Sequence, residues 1–125
     1  MRNIHQFTGA SITGVTINQY QVNRGNEINK KVGLAENCVL KQGDFCKLAA
    51  FKDNTFDKVF AIESTCHAPN RCDVYDQVFR VLKPGGIFLA FTFSAAAGDF
   101  NISVTSDLPI RSGGLSQTEV LVLGL

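Results

Sequence analysis

Two near-continuous apolar runs, Val59-Phe60-Ala61-Ile62 and Ile87 to Phe93, flank a helical stripe, and this arrangement leaves the chain few folds to choose from. A strand without polar alternation is buried on both faces, as in a parallel sheet covered by helices. Between the runs Val74, Val78 and Leu82 recur at i, i+4 and i+8, with Tyr75 and Phe79 beside them, which predicts a helix from about Cys72 to Leu82. Lys83-Pro84-Gly85-Gly86 ends it. Pro84 cannot continue a helix, and Gly85 can take the positive φ that turns the chain back into a strand. The stretch from Asn54 to Phe93 therefore reads as one βαβ-like unit, in which a helix crosses between two parallel strands.

The chain before that unit repeats the alternation. Met1 to Phe7 reads as the tail of a helix, broken by Thr8-Gly9-Ala10. Ile12, Val15 and Ile17 make a short strand, and Asn18 is a plausible N-cap for a helix from Gln19 to Val32. Gly25 sits inside that helix at a cost of about 1 kcal/mol relative to Ala. Asn37 to Lys41 is the next strand, ending at Gly43-Asp44-Phe45. After Phe93 the character changes to Ala-, Ser- and Thr-containing sequence with Pro109 and Gly113-Gly114. Val120 to Leu123 reads as a last edge strand or as a sticky, disordered end. Alternating strands and helices imply an α/β fold with a parallel sheet.

Charge and length exclude several classes. With 12 Lys and Arg scattered among 11 acidic residues, the net charge of +1 leaves no basic face for a polyanion, so nucleic acid is not an expected partner. The apolar runs fall short of the ~18 residues of a membrane helix, and the N-terminus lacks a signal peptide's apolar core, so an intracellular protein is expected. The 125 residues suffice for one domain. Cys38, Cys46, Cys66 and Cys72 lack close CxxC pairing and are expected to be reduced thiols.

Four positions invite a chemical reading. Asp44 follows a strand and a glycine, where it either closes a turn or offers a carboxylate to a ligand. Glu63 directly follows a buried strand, at the carboxyl edge of a parallel sheet where ligands bind in such folds; the alternative is an exposed loop carboxylate. Cys66 and His67 are adjacent, and neighbours in sequence seldom face each other as a nucleophile and base must. Their spacing to Cys72 is not zinc-like, and no metal is expected. Phe88, Phe91 and Phe93 read as core aromatics of a sheet face.

An FD-V-(apolar) strand, then ESTCHAP, then V-(aromatic)-R-V-LKPGG and an aromatic-rich strand resembles the second half of a class I S-adenosylmethionine-dependent methyltransferase. ESTCHAP is similar to the corresponding stretch of the sterol 24-C-methyltransferases, and ITGVTINQYQV and LKQGDF resemble that family in the same order. The likeness runs from Met1 to Phe93. It implies a partial Rossmann-like methyltransferase domain over residues 1–93, with 94–125 a divergent, poorly ordered segment. It also implies S-adenosylmethionine as methyl donor, a sterol-like lipid as acceptor, and a place in the cytoplasm or at the periphery of the endoplasmic reticulum membrane. The alternatives are a methyltransferase of another small-molecule class, or a noncatalytic remnant or interaction module.

The resemblance also assigns roles. Asp44 and Phe45 fall beside the adenine of the donor. Asn18, with Thr16 before it, ends the strand where many relatives place an acidic residue on the ribose hydroxyls, although Asn18 serves equally as a helix cap. Glu63 is the candidate for stabilising the carbocation formed on methylating a side-chain double bond, or for removing the proton afterwards. Cys66 and His67 become pocket wall. Three departures stand out: Leu48-Ala49-Ala50-Phe51 is one residue longer than expected, there is no GxGxG-like loop, and the likeness stops at Phe93 in a chain without Trp. The family's first strand, which lies mid-sheet, is missing from its place ahead of Ile12. The expectation is a truncated, misspliced or frameshifted fragment that is inactive alone. It should bind the donor weakly or not at all and leave the strands at Ile12–Ile17 and Val59–Glu63 with unpaired edges.

Overall fold

The computed structural model describes residues 1–93, 100–105 and 118–124. Helix α1 (Arg2–Thr8) ends at Gly9 in the left-handed region, and strand β1 (Ser11–Thr16) follows. Helix α2 (Gln19–Lys31), strand β2 (Cys38–Gln42) and strand β3 (Phe56–Ile62) come next. A short 3₁₀ turn (Thr65–His67) then leads to helix α3 (Arg71–Val81) and strand β4 (Leu82–Phe93). Strands β5 (Phe100–Thr105) and β6 (Glu119–Leu123) complete the set. The α/β class and the βαβ unit read from the sequence are both present.

The six strands of the described residues form one sheet in the order β2-β1-β6-β3-β4-β5, parallel throughout except for β5 against β4. The common doubly wound order is 3-2-1-4-5-6. Position by position, β2, β1, β3, β4 and β5 take places 3, 2, 4, 5 and 6. Strand β6, the latest in sequence, takes the place of the first. The expected unpaired edges therefore do not occur. β1 pairs with β6 from Ser11↔Glu119 to Val15↔Leu123, and β3 pairs with β6 from Lys58↔Val120 to Ala61↔Leu123.

The reading of Val120–Leu123 as an edge strand or a disordered end is corrected by this placement. The physical reason lies in its pattern: four successive apolar side chains suit a strand with helices on both faces, and all four are buried. Leu121 and Leu123 join Val59, Val74, Val78 and Val81 under α3. Val120 and Val122 join Ala10, Ile12 and Cys38, with Met1 and Ile4 of the α1 region packed on them. One strand thus supplies both layers of the core.

The helices hold their strands by specific means. Gly25 lets α2 lie close on β2, because a Cβ there would overlap Leu40 Cδ1. Asn26 reaches from α2 to the outer edge of the sheet, accepting from Leu40 N at 2.8 Å and donating to Leu40 O at 2.9 Å. On α3, Val74, Val78 and Val81 face the core while Phe79 lies exposed. Arg80 fastens the longer loop of residues 48–53, donating to Leu48 O at 3.0 Å and Phe51 O at 2.9 Å and pairing with Asp53 at 2.7 Å. Lys83 to Gly86 bulge from the ladder between Phe56↔Leu82 and Lys58↔Ile87, with Gly85 at φ +79°.

Candidate functional site

After β1 the chain crosses through α2 to β2 on one side of the sheet; after β3 it crosses through α3 to β4 on the other. Those two strands flank β6, so the point where the winding reverses lies at the middle of the sheet. Ligands in open α/β sheets bind outside the carboxyl ends of the strands at this point. An open cleft of about 670 Å³ lies there. Its lining comes from the loops after four strands: Thr16 and Ile17, Asp44 to Cys46, Ile62 to Ser64, and Gly124, with His67 to Pro69 and Asp73 along one side.

Glu63 stands at the lip of this cleft at φ +51°, the left-handed region that costs a non-glycine residue of order 1 kcal/mol. Its N–H donates to Phe91 O at 2.8 Å, which continues the β3–β4 pairing while the backbone turns the residue outward. The side chain is exposed, so the described residues do not enclose it in a dry pocket. Ser64 and Thr65 behind it are 5% and 0% exposed, and neither hydroxyl has a hydrogen-bond partner among the described residues. His67 lines the cleft and is exposed; the side chain of Cys66 lies outside the described residues.

Asp44 closes a turn and faces the cleft at once. One carboxylate oxygen accepts from Cys46 N at 2.8 Å, and its carbonyl accepts from Lys47 N and Leu48 N. Phe45 lies beside it in the lining. Burial, joined by the charge of Asp44 and a hydrogen bond to it, pushes the Cys46 thiol up and keeps it from thiolate chemistry. Asn18 is a helix cap: its Oδ1 accepts from Tyr20 N at 3.0 Å and Gln21 N at 3.3 Å. It does not line the cleft, whereas Thr16 does, with its hydroxyl donating to Gln21 Oε1 at 2.8 Å.

The lining residues Ser64, Asp73 and Gly124 escaped the sequence reading. Ser64 carried no pattern beyond its place in ESTCHAP. Gly124 did carry a signal, since it follows a buried apolar strand directly, at φ +68°. Asp57 was missed as an anchor. Its Oδ2 accepts from Lys83 Nζ at 2.9 Å and from Glu119 N at 2.9 Å, tying the start of β6 to β3 and β4.

A doubly wound sheet with polar groups gathered at its switch point defines a Rossmann-like ligand-binding domain. The structure resembles a putative sarcosine dimethylglycine methyltransferase from Galdieria sulphuraria, with a TM-score of 0.69 and 31% identity, over 73% of this chain and 34% of that one. In sequence it is similar to squalene methyltransferase 1 of Botryococcus braunii, 50% identical over 72% of this chain and 24% of that protein. A sterol 24-C-methyltransferase of Gibberella zeae is 53% identical over 70% of this chain and 23% of its own length. The methyltransferase-domain profile matches residues 2–90, and the chain belongs to that family. It spans about a quarter of the length of the curated relatives it matches. The resemblance read from ESTCHAP and LKPGG is met by these relatives.

Proposed function

We propose that the cleft takes S-adenosylmethionine as methyl donor and a sterol-like lipid as acceptor, and that the reaction is methyl transfer to a carbon of an acceptor double bond. The observation that carries this reading is the convergence of Asp44, Phe45 and Glu63, distant in sequence, on one switch-point cleft. The residues fit such a donor on two counts. Gly124 brings side-chain-free backbone into the lining, packed on Ser64, whose buried hydroxyl has no partner among the described residues. Asp44 offers an acceptor to an exocyclic amine, and Phe45 offers a ring face.

When bound, S-adenosylmethionine supplies an electrophilic methyl group. The chain's own contribution is positional and electrostatic. Thr16, Asp44 and Phe45 hold the adenosyl side. Ile17 and Ile62 present exposed apolar surface inside the same cleft, which suits a hydrocarbon acceptor. Glu63 places negative charge where an alkene that gains a methyl cation turns positive, and it accepts the proton whose loss restores a double bond. Cys66 and His67 remain candidates for the acceptor wall. Among the described residues no helix is long and apolar enough to cross a membrane. A sterol acceptor resides in membranes, so we place the encounter at a membrane surface such as that of the endoplasmic reticulum.

Calorimetric titration with S-adenosylhomocysteine tests the donor half, and transfer of labelled methyl to a sterol tests the acceptor half. Absence of donor binding to a folded chain would overturn the reading. The exposure of Glu63 favours a second outcome within it, in which the 125 residues bind the donor without turnover.

A further inference from the structure

The sheet order puts β6 where the doubly wound scheme has its opening strand, and Gly124 where that strand turns out into the cleft. Gly124 N donates to Val15 O at 3.0 Å, extending the β1 pairing by one step. A Cβ on Gly124 would overlap Ser64 Cβ and stand 3.1 Å from Ser64 Oγ, so the turn and the loop after β3 meet with no room for a side chain. Ser64 is buried and its hydroxyl has no partner among the described residues, a state that is costly until a partner arrives. The opposite end of the strand is held away from the cleft, by Asp57 on Glu119 N and by Ser11 N on Thr118 O at 3.0 Å.

We propose that residues 118–124 are a surrogate opening strand, and that the Gly124 turn packed on Ser64 is the floor of the cleft. Ligand binding and strand docking are then one linked equilibrium. A ligand that binds only the docked arrangement stabilises it, and an undocked strand leaves no floor to bind on. The inference rests on the methyl-donor reading for the ligand, an adenosyl sulfonium or its thioether product. The sheet position of the strand is independent of that reading.

The test uses the full chain with S-adenosylhomocysteine as probe, read by calorimetry and by hydrogen exchange at the amides of Val120 to Leu123. We expect those amides to be protected, and more so with the probe bound. Gly124→Ala should weaken the probe at least 10-fold and speed exchange along β6. Ser64→Gly in the same chain removes the atoms that the new methyl meets and should restore slow exchange and part of the affinity. Exchange at Leu121 to Leu123 as fast as in an unstructured peptide overturns the proposal. So does Gly124→Ala with unchanged affinity and exchange, an outcome that leaves the donor reading standing. If no probe binds while Gly124→Ala loosens the strand and Ser64→Gly rescues it, the donor reading and the linkage both fall and the surrogate strand is supported.

Discussion

Glu63 combines a carboxylate at the cleft lip with a left-handed backbone that most residues avoid. Strain kept at a cleft is commonly tied to function, and the two properties separate by mutation. Glu63→Gly should leave stability unchanged or raise it by up to about 1 kcal/mol in urea unfolding, because glycine accepts this φ without cost. Glu63→Gln should lower sterol turnover by about 10²-fold or more in a form of the enzyme that turns over, with little change in donor affinity. Asn18→Ala should cost about 0.5–2 kcal/mol through the lost cap, and donor affinity decides whether Asn18 does anything more. Asp57 gives a pH signature. Burial pushes its carboxyl up, but the hydrogen bonds from Lys83 and Glu119 N–H outweigh that and hold it below the ordinary 3.8. A carboxyl depressed in the folded state contributes stability that is full above its ordinary value and is lost as pH falls through the lower folded value. Acid unfolding of the native chain should therefore extend to lower pH than that of Asp57→Asn, as followed by circular dichroism across pH 2–5.

At the scale of elements, β6 matters most. Leu121 is fully buried between the layers, and Leu121→Ala should cost about 2–5 kcal/mol, measured by denaturant unfolding. The sequence made most elements legible because their signals are local. Val59 to Ile62 lacked alternation, Asn18 stood before a helix, and Lys83-Pro84-Gly85-Gly86 stopped one. Val120 to Leu123 has the same absence of alternation, yet its place near the end of the sequence led to the reading as an edge strand or a disordered end. What the sequence could not show was which position in the sheet this strand takes, because strand order is a property of non-local pairing. The cleft was partly legible for the same reason. Asp44, Phe45 and Glu63 follow strands in obvious fashion, whereas Ser64 and Gly124 gain meaning only by meeting across the fold. Gly25 shows the converse: read as a helix weakness, it is the point where α2 approaches Leu40.

Across the whole molecule, β1 and β3 do not pair with each other; β6 stands between them. The half containing α1, β1, α2 and β2 and the half containing β3, α3, β4 and β5 should therefore melt together, with amides of β2 and β4 reporting one transition. Two separate transitions would contradict a shared central strand. The same arrangement bears on synthesis. Translation releases β1 and β3 well before the strand that joins them, since Asp57 and its partner Glu119 are 62 residues apart. At roughly 5–20 residues per second that separation amounts to several seconds between the synthesis of Asp57 and that of Glu119. Long-range closure of this kind is slow, so in refolding followed by pulsed hydrogen exchange the amides of β1 and β3 that face β6 should gain protection later than those of the local β3–α3–β4 unit.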